Sequence, residues 1–168
     1  MFIEVETCFG TYSERKLWMI KIGDNAPAFS LPSGNGTTIS MKDFKGKKIV
    51  VYFYPKDNTS GCTKEACSFQ ENLSLLKKKG AVLLGVSADG VSSHAKFASK
   101  YDLSFPLLAD EKKEMLKAYG VWKEKSMYGR KYMGIERTTI IIDERGRIAH
   151  IFPKVKVEGH TKEVLDAL

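Results

Sequence analysis

The amino-acid sequence predicts an α/β domain with a central mixed sheet flanked by helices. Two unbroken apolar runs, residues 49–54 and 81–87, have the length and β-branched content of strands that are covered on both faces. A stretch with helical periodicity follows each run, and residues 137–152 have the pattern of a hairpin. Strands connected through helices, together with one hairpin, are typical of a mixed sheet between two layers of helices.

The chain is predicted to hold one domain, residues 19–168, preceded by an extension of uncertain role, residues 1–18. The extension shows no clear periodicity. Two interpretations of it stay open: Met19 is the true initiator, or the first residues form an added edge strand. Residues 27–32 are predicted to be extended and to end in a turn, and residues 37–40 are the predicted returning strand.

The helix after the first buried strand is the best specified element. Its apolar positions recur at steps of four, three, four and three, which places them on one face of a helix. These positions are Cys62, Ala66, Phe69, Leu73 and Leu76. The lysines at 77–79 complement the negative end of the helix, and Gly80 is a natural cap, so the pattern predicts one continuous helix up to residue 79.

Shorter patterns predict the remaining elements. They are a helical turn over 41–44, helices over 92–101 and 111–119, hairpin strands over 137–143 and 148–152, and a terminal helix over 160–168.

The composition excludes some classes of protein. No stretch of the chain approaches the roughly 20 consecutive apolar residues that a membrane helix needs, and the first residues lack the apolar core of a secretory signal. A cytoplasmic protein is therefore expected. The net charge of +7 favours a solvated lysine-rich surface, and it also suits acidic partners. Trp122, Tyr128 and Tyr132 lie among basic residues, so a nucleic-acid surface is an open but less favoured alternative.

Three cysteines, Cys8, Cys62 and Cys67, are too few for the disulfide framework of a small secreted protein. In a reducing compartment, two cysteines as close as the second and third indicate redox or metal chemistry. Two thiolates alone do not complete a zinc site, and the three histidines have no ligand-like spacing near them. No metal is therefore expected.

The segment 55–67 leaves a buried strand and enters the helix. It places Cys62 in the first helical turn at the carboxyl edge of the sheet, where α/β folds carry their sites. The free N–H groups and the dipole of a helix start stabilise a thiolate, which is the reactive form of cysteine. Thr59 and Ser60 supply hydroxyls nearby, and Gly61 leaves room for a small substrate. The alternative is that Cys62 is only a small buried apolar residue.

Cys67 lies five positions after Cys62. In an intact helix this spacing separates the two Cα atoms by roughly 8–9 Å, whereas a disulfide needs about 4.4–6.8 Å. A bond between these cysteines therefore requires the first helical turns to unwind. Cys67 falls off the apolar stripe, so a modest unwinding would free it. An incidental helix cysteine is the alternative.

These residues resemble the peroxiredoxin superfamily, whose Pro-x-x-x-Thr-x-x-Cys signature is matched by Pro55, Thr59 and Cys62. Residues 61–67 look like the bacterioferritin comigratory protein group, also called peroxiredoxin Q, in which the resolving cysteine follows the peroxidatic one by five residues. The resemblance covers about residues 20–168. Its other motifs are Gly23-Asp24, Pro27 and Phe29, Gly120-Val121-Trp122, Tyr128-Gly129, Gly134-Ile135, Arg137-Thr138-Thr139 and Glu158-Gly159-His160. The group often has proline at the position of Ser60.

The resemblance implies a thioredoxin-like fold and a thiol-dependent peroxidase that reduces hydrogen peroxide and organic hydroperoxides. Cys62 would attack the peroxide and become a sulfenic acid, and Cys67 would condense with it to a disulfide. Thr59 would hydrogen-bond the thiolate or the peroxide, Arg137 would stabilise the charge, and Pro55 would shape the pocket. A thioredoxin-like dithiol would recycle the enzyme. The family also implies a monomer that needs no metal or organic cofactor.

Two other functions are weighed against this interpretation. A thioredoxin-like disulfide reductase would share the strand–loop–helix site, but it uses Cys-x-x-Cys, whereas four residues separate the cysteines here. A basic binding domain without catalysis would not predict Cys62, Cys67, Thr59 and Arg137 together, although Arg137 taken alone suits a surface charge. The histidines His94, His150 and His160 are interpreted as structural or surface residues. Trp122 and Tyr128 are interpreted as loop anchors near the pocket, with docking of the electron donor as the less favoured alternative.

Overall fold

The computed structural model describes residues 20–168, so the predicted extension, residues 1–18, lies outside the described residues, as do Met19 and Cys8. The strands are β1 (Ser30–Pro32), β2 (Thr38–Ser40), β3 (Lys48–Phe53), β4 (Ala81–Ser87), β5 (Leu107–Ala109), β6 (Trp122–Met127), β7 (Arg130–Ile135), β8 (Thr138–Ile142) and β9 (Ile148–Phe152). The helices are α1 (Ser60–Glu71), α2 (Leu73–Lys78), α3 (Val91–Lys100), α4 (Glu114–Ala118) and α5 (His160–Ala167), with a 3-10 helix over Met41–Phe44.

A five-stranded mixed sheet, in the order β5–β4–β3–β8–β9, forms the centre of the fold. Strand β4 runs parallel to both β3 and β5, while β8 is antiparallel to β3 and to β9. The predicted mixed sheet and its hairpin are therefore confirmed. Two further pairs, β1–β2 and β6–β7, form separate two-stranded sheets.

Alternate residues of β3 pack into two different cores. Ile49, Val51 and Phe53 join a cluster that includes α4, whereas Val50 and Tyr52 join a second cluster with α1, α3 and α5. None of these five side chains is more than 2% exposed. Burial on both faces explains the unbroken apolar run that predicted this strand. Cys62 and the rest of its apolar stripe belong to the second core, as the periodicity predicted.

The predicted continuous helix is two helices, which is a correction. Asn72 separates α1 from α2, and its side-chain amide donates to the carbonyl oxygen of Ser68 at 2.9 Å. A short amide side chain that bonds to the backbone competes with the regular helical hydrogen bonds. The apolar stripe continues across the break because Leu73 and Leu76 are still buried.

The region from 107 to 136 differs most from the sequence analysis. The helix predicted over 111–119 covers only Glu114–Ala118, because Lys113 takes a left-handed conformation with φ 62° just before it. Strands β5, β6 and β7 were not predicted. The turn between β6 and β7 uses positive φ at Tyr128 and Gly129, which is the geometry of tight hairpins.

The aromatic side chains of this hairpin also differ from the prediction. Trp122 packs against the first core, but Tyr128 is 99% exposed at the turn, so its interpretation as a loop anchor was wrong. His94 and His160 are buried and His150 is exposed, as expected of structural and surface histidines. Within residues 20–168, no helix combines the length and the apolar character that crossing a bilayer requires.

Candidate active site

The loop between β3 and α1 is held by a buried network around Asp57. The Asp57 backbone N–H donates to Asp89 Oδ2 at 2.8 Å. Its carboxylate accepts hydrogen bonds from the Tyr54 hydroxyl at 2.6 Å and from the Ser93 hydroxyl at 2.8 Å. These bonds fix the path of the chain immediately before α1, and with it the position of Cys62.

His94 is the buried partner of the Asp57 carboxylate. Its Nδ1 atom lies 2.7 Å from Asp57 Oδ2, and its Nε2 atom lies 2.9 Å from the carbonyl oxygen of Leu108. The ring is therefore held at both nitrogens, between the Asp57 carboxylate and the backbone of β5. Burial acts to raise the pKa of Asp57, but the hydrogen bonds from His94 and Tyr54 outweigh it and lower that pKa.

This network also brings together side chains of the kinds that bind metals. Asp57, Asp89 and His94 each offer a ligand atom, and these atoms lie within 4.8 Å of one another. Hydrogen bonds already engage them, because Asp89 Oδ2 accepts from the Asp57 N–H and from the Ser87 hydroxyl. A cation would have to displace these hydrogens, so the cluster is explained as a structural network of a loop and a helix.

Cys62 lies in the first turn of α1 and is 1% exposed. Arg137, in the connection between β7 and β8, donates from Nη2 to the Cys62 sulfur at 3.2 Å. The sulfur thus lies at a helix start with a guanidinium against it. The two residues are 75 positions apart in the chain. The pairing of β8 with β3 is what brings the end of one connection against the start of α1.

Glu65 is a site residue that the sequence analysis did not single out. Its Oε1 atom accepts a hydrogen bond of 2.9 Å from Arg137 Nη1, so the guanidinium is held between Glu65 and Cys62. Glu65 is only 2% exposed. Burial raises its pKa to about 7, although the charge of Arg137 opposes that shift. The sequence did contain a signal for Glu65, because an acidic residue three positions after Cys62 lies on the same side of the helix.

Two buried polar atoms beside this cluster lack partners among the described residues. They are Glu65 Oε2 and the hydroxyl oxygen of Tyr52. Burial raises the pKa of Tyr52, and the negative charges of Glu65 and Cys62 raise it further. Tyr52 is therefore neutral and forms part of the wall behind the sulfur.

Thr59 and Pro55 lie in the loop before α1. Thr59 precedes the first residue of the helix, is exposed, and donates its hydroxyl to the carbonyl oxygen of Lys56 at 2.9 Å. This leaves the Thr59 oxygen able to accept a hydrogen bond from another group. Pro55 is exposed at the point where the chain leaves β3.

Cys67 lies in the same intact helix as Cys62, and both are free thiols. It is half-buried. Partial burial and the nearby charge of Glu71 raise the pKa of Cys67. The next residue, Ser68, hydrogen-bonds through its hydroxyl to Thr161 of α5 at 2.7 Å. Helix α5 thus holds α1 directly after the second cysteine.

Lys125 of β6 is a further cation near the sulfur. Burial lowers the pKa of Lys125, as does the charge of Arg137, while Glu136 and Cys62 act in the opposite direction. The β6–β7 hairpin therefore reaches the site with one of its lysines. The sequence offered no signal for this proximity, because neither strand was predicted.

Residues 22–151 match the sequence model of a protein family described as AhpC/TSA.

The chain belongs to the AhpC/TSA family.

A relative from Coxiella burnetii is 51% identical over 149 residues, which are 89% of this chain and 99% of the relative. Peroxiredoxin Bcp of Bacillus subtilis is 46% identical over 149 residues, 89% of this chain and 95% of that protein. A solved structure of the Xanthomonas campestris bacterioferritin comigratory protein superposes with a TM-score of 0.79 at 41% identity, covering 83% of this chain and 88% of that one. Its description concerns alkyl peroxide reduction.

These findings confirm the resemblance to the peroxiredoxins and the thioredoxin-like fold. The chain is a thiol-dependent peroxidase, with a peroxide as its substrate and a thiol as its reductant.

Proposed function

We propose that this enzyme reduces hydrogen peroxide and alkyl hydroperoxides through a sulfenic acid on Cys62 and a disulfide between Cys62 and Cys67. The main support is the Arg137 guanidinium, which lies 3.2 Å from the sulfur of a buried cysteine at a helix start. Alkyl peroxide reduction is the activity named for the related Xanthomonas campestris protein.

In the first step the Cys62 thiolate attacks the terminal oxygen of the hydroperoxide. A sulfur–oxygen bond forms and the oxygen–oxygen bond breaks. The terminal oxygen keeps its hydrogen and becomes the hydroxyl of the sulfenic acid, and the leaving alkoxide takes up a proton from solvent. Arg137 holds the thiolate and stabilises the charge that develops on the peroxide oxygens, while Glu65 keeps the guanidinium in place. Thr59 positions the hydroperoxide by accepting a hydrogen bond from it. Pro55 limits access of water to the sulfenic acid.

In the second step the Cys67 thiol condenses with the sulfenic acid, which releases water and leaves a disulfide. Both cysteines lie in α1, so its first turns must unwind before the sulfurs meet. The hydrogen bond between Ser68 and Thr161 ties α1 to α5 just after Cys67, which supports an unwound segment that ends there.

A thioredoxin-like dithiol then reduces the disulfide by thiol exchange, and both cysteines return to thiols. We further propose that the enzyme acts as a monomer in the cytoplasm, with residues 19–168 as its catalytic domain. Sedimentation of the reduced and oxidised forms tests the first of these points.

The decisive experiment is a free-thiol count and an intact mass after one equivalent of hydrogen peroxide, followed by peptide mapping. The proposal expects the rapid loss of two thiols and a crosslink between Cys62 and Cys67. Cys8 provides an internal control, because it should remain a thiol.

Two variants separate the roles of the cysteines. Cys62→Ser should lose all peroxidase activity, whereas Cys67→Ser should complete one turnover, accumulate sulfenic acid and fail to recycle on thioredoxin. An active Cys62→Ser protein would refute the assignment of the peroxidatic residue. Normal recycling of Cys67→Ser would point to Cys8 as the resolving residue instead.

A further inference from the structure

The β6–β7 hairpin, residues 122–135, stands out from the body of the enzyme. Its base is anchored, because Ile135 is buried and Trp122 packs against the first core. The strands pair from Trp122 with Ile135 to Met127 with Arg130 and join no other sheet. Strands of six residues extend about 17 Å from the base to the turn, where Tyr128 is 99% exposed.

The hairpin carries most of the large apolar side chains that are exposed in residues 20–168. Met127 is 56%, Tyr128 99%, Tyr132 43% and Met133 50% exposed, and the other two such residues, Ile22 and Leu75, lie elsewhere in the chain. The pairing puts Met127 and Tyr132 on one face and Met133 on the other, with Tyr128 at the turn. Exposed apolar side chains grouped on one face mark an interaction site. Tyrosine and methionine are also the residue types enriched in protein interfaces.

The hairpin is basic as well as apolar. It contains Lys123, Lys125, Arg130 and Lys131 against a single acidic residue, Glu124, so four positive charges and one negative charge leave +3. A second copy of this chain would bring the same charge to the contact, and the whole chain carries +7. A partner with an acidic rim is therefore favoured.

One face of the hairpin leads to the active site. In an antiparallel pair, alternate residues and their direct partners share a face, which groups Lys125 and Met127 with Tyr132 and Arg130. A Cβ atom at Gly134 would lie 3.2 Å from both the Lys125 and the Tyr132 side chains, so these two pack over the glycine toward the base. At that end of the hairpin, Lys125 lies close enough to Arg137 and Cys62 for their charges to influence its pKa.

We propose that this face is the docking surface for the protein dithiol that reduces the enzyme, a protein with an acidic rim and an apolar centre around its reactive cysteines. The inference rests on the proposed Cys62–Cys67 disulfide. Small-molecule sites are concave, whereas this face is a projecting ridge. A ridge beside the start of α1 suits a macromolecule that must bring its thiolate to the opened end of that helix.

The test separates reduction by a protein from reduction by a small dithiol. Each variant is oxidised with one equivalent of hydrogen peroxide, and the disulfide is verified by mass. The rate constant of its reduction is then measured with a reduced bacterial thioredoxin and with dithiothreitol, at low and at high salt. The variants are Arg130→Glu and Tyr128→Asn, with Lys45→Glu as a charge-matched control on an exposed turn outside the hairpin.

The Tyr128→Asn variant avoids a folding artefact, because asparagine suits the positive φ of that position. Arg130→Glu should slow reduction by thioredoxin at least fivefold at low salt and less at high salt. Tyr128→Asn should slow it by a similar factor at both salt concentrations. Reduction by dithiothreitol should stay within twofold for every variant, and Lys45→Glu should match the wild type in both assays.

If thioredoxin reduces both hairpin variants at the wild-type rate, the docking proposal is overturned and the proposed function stands. The same holds if Lys45→Glu slows reduction by thioredoxin as much as the hairpin variants do. A wild-type protein that forms no Cys62–Cys67 disulfide would overturn the proposed function, and the docking proposal with it.

Discussion

The buried carboxyl of Glu65 should make the stability of this enzyme depend on pH. The pKa of Glu65 is raised by burial to about 7 from an ordinary value of 4.5, against the opposing charge of Arg137. The folded protein thus binds this proton more tightly than the unfolded chain does. The contribution of Glu65 to stability is therefore intact below pH 4.5 and is lost as the pH rises toward 7.

The size of the effect follows from the two pKa values. Their difference is about 2.5, and each unit corresponds to about 1.36 kcal/mol. Ionised Glu65 should therefore lower the free energy of unfolding by about 3 kcal/mol at pH 8 and by about 1 kcal/mol at pH 5. Glu65→Gln keeps the shape and the acceptor for Arg137 without the charge, so it should stabilise the protein by these amounts.

Urea unfolding of the reduced enzyme at pH 5 and pH 8 measures both values. Glu71→Gln is the matched control, because Glu71 is exposed on the same helix and its replacement should change stability by less than about 0.5 kcal/mol. The reasoning is refuted if Glu65→Gln destabilises the protein, or if its effect is the same at the two pH values. The more stable Glu65→Gln variant should also be less active, because it lacks the carboxylate that orients Arg137.

Two further substitutions test the other contacts of the site. Arg137→Lys keeps a charge but not the fork that reaches both Cys62 and Glu65, so it loses a charge-assisted hydrogen bond worth about 1.5–3 kcal/mol. Stopped-flow oxidation of Cys62 should slow by about 10- to 150-fold, and a rate within threefold of the wild type would contradict the proposed role. His94→Phe leaves the Asp57 carboxylate buried without its hydrogen bond from His94, which should cost about 3 kcal/mol in urea unfolding. Adding Asp57→Asn to that variant should restore part of the loss. A second, fully additive loss of stability would argue against a coupling between Asp57 and His94.

Several features of this protein follow from local sequence patterns. The apolar run at residues 49–54 is a fully buried strand because a run without alternation requires two covered faces. The stripe that starts at Cys62 marks one side of a helix, because apolar residues at helical spacing must share a face. The five-residue spacing of Cys62 and Cys67 already implies that the helix must open before they bond. The site signature around Cys62 is likewise contiguous, so it could be found without a structure.

Only the tertiary structure determined which distant segments of the chain contact one another and how these contacts change the properties of their side chains. Glu65 is an ordinary helical glutamate in the sequence, and only its burial against the guanidinium of Arg137 raises its pKa to about 7. The buried hydrogen bond between Asp57 and His94 joins residues 37 positions apart. The β6–β7 hairpin escaped prediction because its strands are polar and mostly exposed, and it reaches the active site only through the packing of its base. Periodicity records which side of an element is buried, whereas the partner that buries it is set by long-range packing, which no local pattern contains.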